Sequence, residues 1–251
     1  DYVSIKIYIV RHGQPLGDEI KQNIPNSPLG EMGKKQAILA ASEVERLGGI
    51  DYIYSSTYNR ALDTAKAFYE WFNVPWHVWP ALSETGRLNW PSLREMQKRG
   101  EKLASDYYKN GDMEEVYKRS QNFPSDHFPL LSELEKQYCN ISLSQPFEWP
   151  DEWWLPLIDE TRELAYMRAR RVIEAIKQRH NNADCSIALV CHAAFGSVLM
   201  TVLTEGPPCD YNRFSFAHAA FSCVKLHEEG YAQVLFSNYI AHLFPKYLTA
   251  Y

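Results

Sequence analysis

Short apolar, β-branched runs alternate along this chain with stretches of helical period, and a chain so patterned folds as a mainly parallel sheet covered by helices on both faces. Ile5 to Val10 (IKIYIV) reads as a buried first strand, broken by the polar turn Arg11-His12-Gly13-Gln14-Pro15. From Glu31 to Leu47 the residues Ala37, Ala40, Ala41, Val44 and Leu47 recur at helical spacing, and Gly48-Gly49 is the stop. Asp51 to Tyr54 predicts a second strand. Tyr58 to Phe72 predicts a helix with Ala61, Leu62, Ala65, Phe68, Tyr69 and Phe72 on its apolar face, and Trp76 to Trp79 a third strand between prolines. Helical period returns from Glu160 to Arg179 through Leu164, Met167, Val172, Ala175 and Ile176. Ile187 to Cys191 reads as a fourth buried strand, Phe195 to Leu203 as a helix, and Phe221 to Leu226 and Ala232 to Phe236 as late strands. The expectation is an α/β protein, a three-layer α/β/α sandwich forming one domain over residues 1–251.

Between Leu82 and Pro156 the pattern loosens into charged stretches with Pro, Ser and Asn, too long for an ordinary loop, which predicts an inserted helical, aromatic-rich cap over about 88–157. All seven Trp (Trp71, Trp76, Trp79, Trp90, Trp149, Trp153 and Trp154) fall within or beside this middle region. Trp71 is expected on the buried face of its helix. Trp90, Trp149, Trp153 and Trp154 are expected to be mostly packing, with one or two against ligand.

The excess of 31 acidic over 26 basic residues, a net charge of −5, disfavours nucleic acid and anionic membranes as partners. No apolar run approaches the roughly 20 residues that a membrane helix needs, and Asp1 to Lys6 lack the pattern of a signal peptide. Five widely spaced cysteines, an odd number, suit reduced thiols and a cytoplasmic setting better than a disulfide framework.

In parallel sheets the ligand crevice lies beyond the carboxyl ends of the strands. His12 follows the first strand, Ser55-Ser56 the second, Glu84 the third and His192 the fourth, so four segments deliver polar residues to one sheet edge. Arg11 offers a planar fork of donors suited to phosphate, and His12 a nucleophilic ring nitrogen, with Gly13 permitting a sharp turn. Ser55, Ser56 and Thr57 can cap the helix that carries Arg60. His192 precedes a helix whose first backbone N–H groups make a natural anion site. Singly, each has a bland reading as a cap or a buried hydrogen-bonding group.

In combination, IYIVRHGQ, NSPLGEMGKKQA, SSTYNRALDTA, LSETG, LVCHAAFGSV and SNYIAHL resemble the histidine phosphatase superfamily, in its phosphoglycerate-mutase-like branch. The resemblance covers both ends of the chain and fails across about Leu88 to Leu157. It implies a metal-independent phosphatase that uses no cofactor and hydrolyses small phosphate monoesters through a phosphohistidine. His12 would be the nucleophile and Glu84 the proton donor; Arg11, Arg60 and His192 would hold the phosphoryl oxygens. Gly13, Ala193 and Arg87 would complete the substrate contacts. Sequence assigns no oligomeric state.

Three positions depart from the family pattern. Ala193 stands where Gly usually follows the second His, Gly30 replaces a Thr, and the stretch after Glu84 (TGRLNW) lacks the residues of a phosphoglycerate mutase. Phosphatase is therefore preferred to phosphomutase or to a catalytically weak phospho-ligand module. A cysteine-dependent phosphatase needs Arg six positions after its Cys, but Gln145, Cys191, Ser197, Ser215 and Glu229 stand there. No phosphate-binding glycine loop and no paired C-x-x-C spacing is present.

Overall fold

Strands too apolar to face water on either side set the centre of the molecule. The structure, a computed structural model, describes residues 4–24, 26–85, 99–100, 102, 114–115, 128–137, 141–143, 151, 153–154, 157, 160–181, 183–208 and 211–249. Its strands are β1 (Ser4–Arg11), β2 (Tyr52–Ser55), β3 (Trp76–Val78), β4 (Ile141–Leu143), β5 (Cys185–Cys191), β6 (Phe221–His227) and β7 (Ala232–Tyr239). Its α-helices are α1 (Leu16–Glu19), α2 (Glu31–Arg46), α3 (Asn59–Phe72), α4 (Leu131–Gln137), α5 (Arg162–Arg179) and α6 (Ala193–Leu203), and Pro80–Leu82 and Pro245–Tyr247 are 3₁₀ turns.

The sheet order is β4-β3-β2-β5-β1-β6-β7, with parallel pairs from β4 to β1 and antiparallel pairs from β1 to β7. From β1 the chain moves outward through β2, β3 and β4, then returns to insert β5 between β2 and β1. That return creates the switch point where an α/β crevice forms. Helices α2 and α3 bury Ala40, Ala41, Val44, Ala61, Leu62 and Phe68 against Tyr8, Val10, Ile53 and Val190. On the opposite face α5 and α6 bury Val172, Ile176, Phe195 and Leu199 against Ile7, Ile9, Ile187 and Leu189. The three layers follow from the strand and helix patterning, as expected.

Three readings need correction. Helix α5 buries Ala165, Arg168, Ala169, Val172, Ile173 and Ile176, whereas Met167 is exposed, so its inner face lies one position round from the one read off Leu164 and Met167. Trp71 is 42% exposed, and its Nε1 donates to Glu45 on α2 instead of packing inward. Of the described residues in the segment expected to form a cap, Leu131–Gln137 are helical, Ile141–Leu143 extend the sheet beside β3, and Phe128, Leu131, Leu134, Trp153 and Trp154 join the α2/α3 core cluster. A strand of three residues is too short to show a period of two, which is why it went unread. Trp153 and Trp154 are thus core packing, while Trp90 and Trp149 lie outside the described residues. Last, α3 begins without a side-chain cap from Ser55, Ser56 or Thr57; Asn26 Oδ1 instead accepts the Asn59 N–H at 3.0 Å. Cys185, Cys191 and Cys223 are buried thiols. Among the described residues no helix is long and apolar enough to cross a membrane.

Candidate active site

Strand register builds the site. Arg11 pairs with Cys191 across the parallel β1/β5 ladder, so the next residues, His12 and His192, emerge side by side with ring centroids 5.1 Å apart. The β2/β5 register sets Ser55 against Val190, which brings Ser56 Oγ within 2.8 Å of His192 Nε2. On the other side of β1, antiparallel pairing with β6 places His218 beside His12, with ring centroids 5.8 Å apart. Arg60, on the first turn of α3, reaches across to His12.

Hydrogen bonds settle the tautomer of His12. Arg60 Nε lies 3.0 Å from His12 Nε2, and a guanidinium has no acceptor, so Nε2 carries the lone pair. The Nδ1 proton then goes to the Gly13 carbonyl at 2.8 Å. Burial, followed by the charges of Arg60, His192, Arg11 and His218, holds His12 well below the ordinary imidazole pKa. The ring is neutral at neutral pH, with its Nε2 lone pair facing the Arg60 guanidinium. Arg11 donates to the Phe216 carbonyl at 2.6 Å and to His218 Nε2 at 2.9 Å; burial, partly offset by the nearby Glu84, lowers its pKa to about 10. Arg11, His12, Arg60 and Glu84 line one cavity of about 540 Å³, whose wall continues through Asp18, Lys21, Gln22 and Asn23.

Glu84 is fixed by backbone. Its Oε1 accepts the N–H of Thr85 at 2.9 Å and that of Phe195, in the first turn of α6, at 3.0 Å. A helix-start donor that sequence reasoning assigned to an anionic ligand is therefore engaged by the protein's own carboxylate. Ser56 and Thr57 hydroxyls approach Ser83 Oγ at 3.4 and 3.0 Å, tying the loop of Glu84 to the end of β2.

Gly13 is needed for a reason other than a sharp turn: a Cβ there would strike the carbonyl of Gly33, as one on Gly33 would strike that of Gln14. The Thr-to-Gly departure at Gly30 also has a physical account. The Glu19 carboxylate occupies the space of a Gly30 side chain and accepts the Met32 N–H at 3.3 Å, serving the start of α2. Ala193 is half-buried at the first position of α6. Arg87 lies outside the described residues.

Two residues escaped sequence reasoning. His218 takes Arg11 on Nε2 and Thr249 Oγ1 on Nδ1, a role set by antiparallel pairing that no local pattern announces. Arg168 pairs with Glu160 through two bonds of 2.7 Å and donates to the carbonyls of Ala81 and Ser83 at 2.7 and 2.9 Å. An arginine amid the apolar stripe Ala165, Ala169, Val172 was the available signal.

Burial of His12, His218 and His242 predicts a fold that loses stability in acid. Burial is the main cause in each case: His12 is shifted well down, His218 to about 3 and His242 to about 4. All three are neutral when folded yet take a proton near pH 6.5 when unfolded, so their contribution is full above that pH and is lost as pH falls below it. Chemical denaturation should show a loss of about 1 kcal/mol per group, about 3 kcal/mol together, between about pH 6.5 and 5.5. Stability unchanged across that interval would contradict neutral burial of these rings.

A family profile described as "Histidine phosphatase superfamily (branch 1)" matches residues 7–126 and 131–239. Among solved structures, YhfR of Bacillus stearothermophilus superposes with a TM-score of 0.60 at 18% identity, covering 96% of this chain and 100% of that one. Phosphoserine phosphatase from Entamoeba histolytica, solved as a mutant with phosphoserine, gives 0.58 at 16% identity, again over 96% and 100%. A mycobacterial glucosyl-3-phosphoglycerate phosphatase gives 0.57 at 17%, over 93% and 98%. At such identities the likeness is one of fold. No curated protein sequence matches the chain.

Proposed function

The chain belongs to the histidine phosphatase superfamily (branch 1), and from that premise we propose that it is a metal-independent phosphatase hydrolysing small phosphate monoesters through a phosphohistidine on His12. The observation that carries this reading is the neutral His12 ring, its Nδ1 committed to the Gly13 carbonyl and its Nε2 lone pair set beside Arg60. In the proposed reaction Nε2 attacks phosphorus while Arg11, Arg60 and His192 hold the phosphoryl oxygens and stabilise their charge as the ester bond breaks. Glu84 gives its proton to the departing alkoxide, then takes one from a water that attacks the phosphohistidine and releases phosphate. Two backbone N–H bonds hold the carboxylate of Glu84 for both transfers. Gly13 and Ala193 flank the two histidines, and Arg87 follows Glu84 closely enough in sequence to reach substrate. Hydrogen-bonding side chains at Asp18, Lys21, Gln22 and Asn23 support a polar leaving group, in keeping with solved relatives named for phosphoserine and glucosyl-3-phosphoglycerate.

The test is hydrolysis of aryl and alkyl phosphates by purified protein with chelator present. Wild type should release phosphate, and Glu84→Gln should slow alkyl substrates by about 10²–10⁴ while slowing a nitro-substituted aryl ester far less. No release by wild type from acidic to neutral pH overturns the reading. Equal slowing of both substrate types removes Glu84 from proton transfer.

A further inference from the structure

Tyr58 is buried and touches two groups proposed to hold the phosphoryl oxygens as well as the aromatic cluster of the middle region. The Arg60 guanidinium carbon sits over its ring, 4.4 Å from the centroid, a cation–π contact. Its edge meets His192 with centroids 4.9 Å apart. Behind it stand Phe128 at 5.0 Å and Trp153 at 5.5 Å, both edge-on; those two rings lie 5.5 Å from each other, and Trp153 Nε1 is tied to the Pro129 carbonyl at 3.1 Å. One ring therefore meets Arg60, His192, Phe128 and Trp153.

We propose that Tyr58 is a positioning residue for phosphoryl binding, its ring holding Arg60 and His192 in place while Phe128 and Trp153 keep it from turning away. The inference rests on the phosphatase reading above. A guanidinium without a platform can take many side-chain orientations, and each one lost on substrate binding weakens affinity. A desolvated aromatic face removes that freedom beforehand, so the proposed role belongs to the ring face.

The test compares Tyr58→Phe, Tyr58→Met and Tyr58→Leu in aryl phosphate turnover and in competition by inorganic phosphate and vanadate. Tyr58→Phe keeps the face and should stay within about twofold of wild type in kcat/KM and in both inhibition constants. Tyr58→Met fills similar volume without the face and should raise KM and weaken both anions by about tenfold or more, with far circular dichroism unchanged. Trp153→Leu, which removes the backing alone, should weaken the anions in the same direction. A folded Tyr58→Met within twofold of wild type overturns the proposal, and so does a Tyr58→Phe as impaired as Tyr58→Met. If Tyr58→Leu fails to fold, the Phe and Met pair still decides. Because wild-type turnover is measured alongside, failure of the phosphatase reading shows as no turnover in any variant, whereas failure of this inference shows as turnover and anion binding indifferent to the ring.

Discussion

On the proposed mechanism, His12→Ala should remove phosphate-ester hydrolysis almost completely, by about 10³–10⁶-fold in kcat, the range expected when a covalent nucleophile is deleted. Of the three neighbouring histidines, His12 lines the cavity, whereas His192 and His218 are not among its lining residues. Cys191 is fully buried and burial pushes its thiol far above the range where a thiolate forms. His12 also makes hydrogen bonds to Gly13 and Arg60, but its neutral burial weakens the fold in acid, so the alanine variant should lose less stability on acidification than wild type. Acid-labile, base-stable phosphate should be retained on wild type after a rapid denaturing quench and be absent from His12→Ala. Label retained by His12→Ala would move the nucleophile elsewhere.

Arg168→Met produces the second large effect, on stability first. The Arg168–Glu160 pair is almost fully buried, with side chains 8% and 4% exposed. Removing one partner of such a pair leaves an uncompensated buried charge and costs about 3–5 kcal/mol. For a chain of this size thermal melting should fall by about 10 °C, at roughly 2–4 °C per kcal/mol. The double variant Glu160→Gln, Arg168→Met should recover part of that loss, because the orphaned charge disappears with its partner. Arg168 also donates to Ala81 and Ser83, just before Glu84, and its guanidinium lies 3.9 Å from the ring centre of Phe195, whose N–H holds Glu84. The surviving folded enzyme should therefore lose more rate on alkyl than on aryl phosphates. A melting point and leaving-group profile equal to wild type would remove both roles.

Legibility in the sequence followed the range of the signal. The inner faces of α2 and α3 were readable because a buried stripe repeats every turn, as at Ala37, Ala41 and Val44 or Ala61, Ala65 and Phe68. On α5 the same logic slipped by one position. Leu164 and Met167 resemble core residues by type, whereas the buried position is taken by Arg168, whose charge is matched by Glu160 in space and not by any helical neighbour. Trp71 was misplaced for the converse reason: an apolar ring was assumed to seek the core, yet its indole N–H finds Glu45 at the surface.

The sequence by itself determined the layers, the strand ends that face the crevice, and the presence there of Arg11, His12, Arg60, Glu84 and His192, because hydrophobic period and chain order are local properties. Tertiary structure alone decided how those groups are used. Which nitrogen of His12 bears the lone pair depends on Arg60, 48 residues away, and the hold on Glu84 depends on Phe195, 111 residues away. Strand register brings such partners together, and register is a property of the assembled sheet, not of any one strand.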